Sequence, residues 1–230
     1  MIYLKTYKEI DLMRQSSLLV SLTHAELAKV IKPGITSLYL DTLAEEFIRD
    51  NGGIPGFKGH NGFPSTLCIS QDNEVVHGIP SNREIKEGSI LSIDCGVLMK
   101  GFYGDSAYTF AIGEISYEKQ KLLKVTKKAL DLGVLAATYG NTIGDIGYTI
   151  QNFAESNGFS VVKELVGHGI GKELHESPEV PNYGKRGNGQ VLEDGMVLAI
   201  EPMINLGSDS IIQNKDGWTI ETKDGLPSAH

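Results

Sequence analysis

The sequence predicts an α+β domain in which two pseudo-symmetric helix-helix-strand halves pack around a central antiparallel sheet. Three observations carry this reading. Two helical stretches lead into a β-rich stretch punctuated by glycine and proline, and the same order recurs in the second half of the chain. At an offset of 106, Gly34, Thr36, Phe47, Asn51 and Gly52 fall on Gly140, Thr142, Phe153, Asn157 and Gly158. At an offset of 107, the run from Glu87-Gly88 to Ile93-Asp94 falls on the run from Asp194-Gly195 to Ile200-Glu201, so a strand pattern carries a carboxylate onto a carboxylate. The half-repeats span about 6–113 and 116–230 and are read together as one domain, 1–230.

Each element has a local signal. Thr6 and Glu9 have capping-box spacing, and apolar residues at Ile10, Met13, Leu19, Leu22 and Leu27 follow before Lys32-Pro33-Gly34 ends the helix. Thr36 or Ser37 caps a second helix, with Leu40, Leu43, Ala44 and Phe47 on one face and Asn51-Gly52-Gly53 as its stop. Gly53 to Phe110 reads as strands and loops. A third helix is expected from about Ser116 to Thr138, and a fourth from its cap at Thr142 to Asn157-Gly158, followed by strands again.

Composition narrows the function. With 230 residues, 40% hydrophobic and 22% charged, the chain is long enough to bury a core without staples. A net charge of −8 opposes nucleic acid or an anionic membrane as the main partner. Cys68 and Cys95 lie in apolar, strand-like runs without CxxC spacing, which reads as buried reduced thiols in a reducing cytosol. No apolar run nears the roughly eighteen residues of a membrane span, and Met1 to Lys5 lacks the sections of a signal peptide, so a cytoplasmic protein is expected.

The chemistry-bearing residues are Asp94, Asp105, His168 in Gly167-His168-Gly169, and Glu201 in Ile200-Glu201-Pro202. Three carboxylates with one imidazole suit a pair of divalent cations such as Mn, Fe, Co or Zn, whereas thiolates would suit structural zinc. If Lys100-Gly101 is a two-residue loop, Asp94 lies opposite Ala107 and Asp105 points to the same face; a three-residue loop without a bulge separates them. A carboxylate directly after an apolar strand is costly to bury unless paired or metal-bound, and the repeat places one there twice. Gly171-Lys172-Glu173 lacks the glycine spacing of a phosphate loop. His77 and His175, near such a centre, are acid/base candidates.

At these residues the sequence resembles the bacterial, type I methionine aminopeptidases over its whole length. The signals are Lys58-Gly59-His60-Asn61-Gly62-Phe63-Pro64, Asn73 to Pro80 around His77, Asp94 through Asp105, Gly167 to Gly171, Leu174-His175-Glu176-Ser177-Pro178 and Glu201-Pro202. The resemblance implies the pita-bread fold, with Asp94, Asp105, His168 and Glu201 as ligands of two divalent metal ions (Co, Mn, Fe or Zn). It also implies Glu201 as proton acceptor, His175 as stabiliser of the developing oxyanion and His77 as a contact to the scissile amide nitrogen. An apolar methionine pocket would be formed by His60, Phe63, Cys68, Leu174 and Trp218; Leu174 departs from the aromatic residue often found there.

The implied activity is removal of the initiator methionine from nascent proteins with small second residues, by a monomer that contacts the ribosome. Two alternatives stand beside it: an Xaa-Pro exopeptidase of the same fold, and a pita-bread binding module with an impaired metal site. Family members follow Ser228-Ala229 with a Glu-His-Thr segment whose glutamate bridges both metals, then a last strand, and this chain ends at His230. The expectation is a centre one carboxylate short, weaker metal binding and an exposed sheet edge. Glu221, the only late acid in a strand-like run, falls about eleven residues short of that position.

Overall fold

The computed structural model describes residues 2–230, and Met1 lies outside it. In the first half, α1 (Tyr7–Ala28) and α2 (Ser37–Asp50) precede β1 (Ile54–Pro55), β2 (Leu67–Gln71), β3 (Glu74–Val76), β4 (Ile90–Met99) and β5 (Phe102–Ala111). In the second half, α3 (Tyr117–Ala136) and α4 (Ile143–Ser156) precede β6 (Ser160–Val161), β7 (Gly167–Gly169), β8 (Glu176–Val180), β9 (Leu198–Ala199), β10 (Ile204–Asn205), β11 (Ile211–Gln213), β12 (Ile220–Thr222) and β13 (Ser228–Ala229). Among the described residues, no helix is long and apolar enough to cross a membrane.

The predicted caps form. Thr6 and Glu9 close a capping box, with the Thr6 N–H donating to Glu9 Oε2 at 2.9 Å. Of the two cap candidates for α2 it is Thr36 that serves, its Oγ1 accepting from Tyr39 N–H at 3.2 Å. Leu22 departs from expectation: it is 54% exposed, because the stripe that α1 buries against the sheet runs through Met13, Ser16, Leu19, Val20, Thr23 and Leu27. Ser16 replaces an apolar residue there because its hydroxyl donates to Phe102 O at 2.9 Å.

The repeat is visible atom by atom. Gly34 N–H donates to Ile85 O at 2.9 Å and Gly140 N–H to Leu192 O at 3.1 Å, a pair of bonds at equivalent positions. Asn51 Nδ2 donates to Phe47 O and Asn157 Nδ2 to Phe153 O, each at 2.8 Å, closing α2 and α4 alike. Gly34 and Gly140 have φ of 89° and 85°, a left-handed backbone that a side chain would strain.

All strand pairings are antiparallel, but they fall into four small sheets: β1-β4-β2 with β5 on β4, β13-β10-β6, β11-β12-β3 and β8-β7-β9. Ten-residue β4 has as its counterpart only the two-residue pieces β9 and β10, which flank Glu201-Pro202. Pro202 has no N–H to give a ladder, which accounts for the interruption.

Alternation along β4 decides which face carries chemistry. Leu91, Ile93, Cys95 and Val97 pack into one core with Leu19, Leu27, Leu40 and Ile48, leaving Asp94 on the opposite face. A second core, around Leu122, Ile146, Ile150 and Ile204, does the same for the other half. Cys68 and Cys95 are buried free thiols. Gly104 lets α1 lie directly on β5, since a Cβ there would sit 2.6 Å from Ser17 N.

Candidate active site

Lys100 and Gly101 have φ of 52° and 80°, so the β4-β5 connection is the tight two-residue turn that keeps Asp94 and Asp105 on one face. Asp94 pairs with Ala107 and Asp105 with Gly96, making the two carboxylates diagonal neighbours. β7 supplies His168, which pairs with Ala199 of β9, and the chain leaving β9 brings Glu201 alongside. Gly167 permits this approach: a Cβ there would lie 2.3 Å from Ala199 O and 3.3 Å from Glu201 Cγ.

His168 Nε2 stands 3.1 Å from Glu201 Oε1 and 3.7 Å from Asp105 Oδ2. Its Nδ1 is 2.8 Å from Gly169 O, so the proton assigned to Nδ1 is donated to that carbonyl. Nε2 faces two carboxylates; burial opposes protonation of the ring, but Glu201 overcomes it and raises the His168 pKa, so a positive charge is favoured between them.

The carboxyl groups report the same crowding. Burial raises Asp105 well above the carboxylate range, and Asp94 and Glu201 push it further. Asp94 is raised by burial, with His230 partly offsetting this. Burial also opposes ionisation of Glu201, but His168 and His230 overcome it and pull the carboxyl below its usual value. Glu201 Oε1 and His230 Nε2 are buried without a hydrogen-bond partner.

Among the described residues, no three donors stand close enough, as positioned, to hold a metal ion. The four side chains nonetheless line one common space. Oxygen and imidazole donors, mutually repelling carboxyls and orphaned polar atoms fit a divalent ion in that space.

The predicted substrate residues converge on the same place. A cavity of about 610 Å³ is lined by His60, Phe63, Cys68, His77, Leu174, His175 and Trp218 together with Asp94, Asp105, His168 and Glu201. Phe63 and Trp218 meet edge to face at 5.1 Å. The His175 ring lies 4.4 Å from that of His168 and 5.3 Å from that of His60. Burial and these two neighbours lower the His175 pKa to about 4, so the ring is neutral at pH 7. His77 is likewise lowered by burial.

Sequence reasoning missed two residues here. Phe57 also lines the cavity and packs over Gly96, where a Cβ would sit 2.4 Å from its ring; the Gly56-Phe57-Lys58-Gly59 stretch hinted at a placed aromatic. His230 reaches the same cavity, its Nε2 3.6 Å from Glu201 Oε2, and nothing in its local sequence signalled this. Glu221 stays away, accepting from Asn214 Nδ2 at 2.6 Å on β12. A second cavity of about 560 Å³, between β5 and α3, shares Asp94, Asp105, Glu201 and His230 with the first, so the centre is reached from two sides.

Comparison with known proteins decides the family. The model described as metallopeptidase family M24 matches residues 11–224. The chain belongs to metallopeptidase family M24. This M24 chain is 50% identical to the methionine aminopeptidase of Clostridium perfringens (strain 13 / Type A), over 100% of its own length and 92% of that protein. The crystal structure of methionine aminopeptidase from Rickettsia prowazekii superposes with a TM-score of 0.98 at 38% identity, covering 100% of this chain and 93% of that one. Prolidase from Pyrococcus furiosus shares the pita-bread fold alone, with a TM-score of 0.77 at 24% identity over 87% of this chain and 57% of that one. As an M24 member with such relatives, the protein is a metal-dependent hydrolase.

Proposed function

We propose that this M24 hydrolase is a methionine aminopeptidase that releases the N-terminal methionine from nascent proteins with a small second residue. The single observation that carries the reading is convergence: residues drawn from β4, β5, β7 and the segments around Leu174 and Glu201 line one cavity that brings Asp94, Asp105, His168 and Glu201 together with apolar and aromatic side chains. Its apolar wall of Phe63, Cys68, Leu174 and Trp218 suits a thioether, which aromatic rings and soft sulfur accept well. The prolidase-type alternative has only the fold in its favour.

Asp94, Asp105, His168 and Glu201 would hold two divalent ions, drawn from Co, Mn, Fe or Zn. When bound, such ions acidify a water and polarise the scissile carbonyl. Glu201, with an oxygen lacking a hydrogen-bond partner, takes the water proton. Neutral His175 donates a ring N–H to the carbonyl oxygen as it gains charge. His77, across the cavity, contacts the amide nitrogen of the bond being cut. The apolar wall fixes the methionine side chain and so orients the first peptide bond toward the acidic wall. The setting is the cytoplasm, with a monomer acting on chains at the ribosome.

The test is release of free methionine from Met-Gly or Met-Ala peptides by the 230-residue chain with added Mn or Co. Release that vanishes in Asp94→Asn supports the reading. A folded chain that releases none under any of these ions would defeat it as an account of this polypeptide and favour the binding-module alternative.

A further inference from the structure

The main chain of Glu201 lies in the gap between β9 and β10. β9 ends at Ala199, whose partner is His168, and Pro202 has no N–H to continue the ladder. The Glu201 carbonyl instead accepts a hydrogen bond from a side chain, Asn182 Nδ2, at 3.0 Å. Asn182 stands two residues past the end of β8 and is fully buried, with 0% of its surface exposed. In the sheet β8-β7-β9, Gly167 of β7 pairs with Val180 of β8 and lies against Ala199 and Glu201 on its other side. The Asn182 amide thus reaches past the start of β7 and holds a stretch that the ladders leave out.

Packing alone does not account for an asparagine here. Its Oδ1 is buried and has no hydrogen-bond partner among the described residues, which destabilises the fold. A leucine of nearly the same shape would bury no such oxygen. What asparagine has and leucine lacks is the N–H that meets Glu201 O. Aspartate shares the shape and lacks that donor too, since an ionised carboxylate only accepts. Pinning the Glu201 carbonyl fixes the direction in which its Cα–Cβ bond leaves the chain, and so the place of its carboxylate, whose Oε1 lies 3.1 Å from His168 Nε2.

From this geometry we infer that Asn182 is a positioning residue for Glu201: its Nδ2–H holds the Glu201 carbonyl and so aims the carboxylate into the cavity. Asn182 itself lies outside the cavity lining and touches no reacting atom. The inference rests on the reading of Glu201 as ion donor and proton acceptor. Loss of the bond leaves Phe63, Cys68, Leu174 and Trp218 in place, so it acts on the chemical step and on cation uptake rather than on the seating of the methionine side chain.

The experiment compares the wild-type 230-residue chain with Asn182→Leu and Asn182→Asp, by methionine release from Met-Ala peptides with Co and by calorimetric titration of the metal-free proteins with Co. In both variants kcat falls and Co binds more weakly, each by about tenfold or more, while KM stays near the wild-type value. Metal-free Asn182→Leu melts close to the wild type, because removal of the unpaired Oδ1 offsets loss of the bond. A further measurement needs no variant: in nuclear magnetic resonance of the wild type, the Asn182 side-chain amide protons exchange slowly with solvent. Folded variants with unchanged kcat and Co affinity overturn the inference. So do variants in which KM rises in step with the fall in kcat, the mark of a general loosening, and so do Asn182 amide protons that exchange as fast as exposed ones. Full release by Glu201→Gln would instead defeat the reading of Glu201, and if the wild type releases no methionine, the Co titration still decides for Asn182.

Discussion

Lys5 Nζ lies 2.6 Å from Glu176 Oε2, with the two side chains only 2% and 14% exposed, and Glu176 is the residue after His175. The pair ties the start of the chain to the loop that aims the His175 ring into the cavity. Glu176 also accepts from the Glu173 N–H at 3.2 Å, closing the turn on which Leu174 and His175 sit.

Removing the cation from this pair leaves a largely buried carboxylate uncompensated. Lys5→Met is expected to cost about 1–3 kcal/mol, less than a fully buried pair because Glu176 keeps some contact with water. Burial alone would raise the Glu176 pKa, but Lys5 and neighbouring backbone donors overcome it and lower it from its ordinary 4.5. A depressed acid stabilises the fold above its unfolded pKa and ceases to do so as pH falls through the folded value. Urea unfolding of both proteins should show the full difference at pH 7 and a shrinking one below about pH 4; an unchanged gap would contradict the assignment.

Asp105→Asn separates function from stability. The change removes one of three crowded carboxylates, so the metal-free variant should melt no lower than the metal-free wild type, while methionine release falls by about a hundredfold or more. Adding Co or Mn should raise the melting temperature of the wild type and leave that of the variant nearly unmoved. A variant that gains as much from the metal as the wild type would speak against Asp105 as a donor.

Gly167→Ala attacks the centre without touching a donor. Its new Cβ would press on Ala199 O and Glu201 Cγ, prising β9 from β7. A stability loss of about 1–3 kcal/mol with weakened cation uptake is expected. Normal uptake in a folded Gly167→Ala chain would show that the His168–Glu201 spacing is not decisive.

His175 should act as a neutral donor. With its pKa at about 4, no His175 titration falls between pH 5 and 9. The kcat of His175→Gln should drop while KM changes little, and the shape of the kcat profile over that range should stay the same. A limb near pH 6.5 that disappears in the variant would sink the idea.

Trp218 tests the apolar wall. Trp218→Ala removes the edge-to-face contact with Phe63, and a loss of about 1.4 kcal/mol in methionine binding corresponds to a KM about ten times higher, with kcat little affected. An unchanged KM would place the methionine side chain elsewhere.

Much of this molecule was legible in its sequence because the signals are local and periodic. Thr6-Glu9, Thr36 and Thr142 marked helix starts through capping chemistry that needs only three or four residues. Gly34 and Gly140 marked turns because only glycine takes their backbone without strain. The repeat in the sequence matches Asp94 with Glu201. Leu22 misled because helical periodicity reports an apolar face without saying how wide a stripe the sheet will cover.

What the sequence by itself determined was the order of elements, the two halves and the residue types of the centre, since capping, turn geometry and alternation act over a few residues. Only the tertiary structure decided that Lys100-Gly101 is a tight turn bringing Asp94 and Asp105 to one face, that Pro202 breaks the second central strand, and that His230 stands beside Glu201 while Glu221 does not. The first two depend on strand register, and the place of His230 depends on its bonds to Thr109, 121 positions away, where sequence neighbours carry no information about who meets whom.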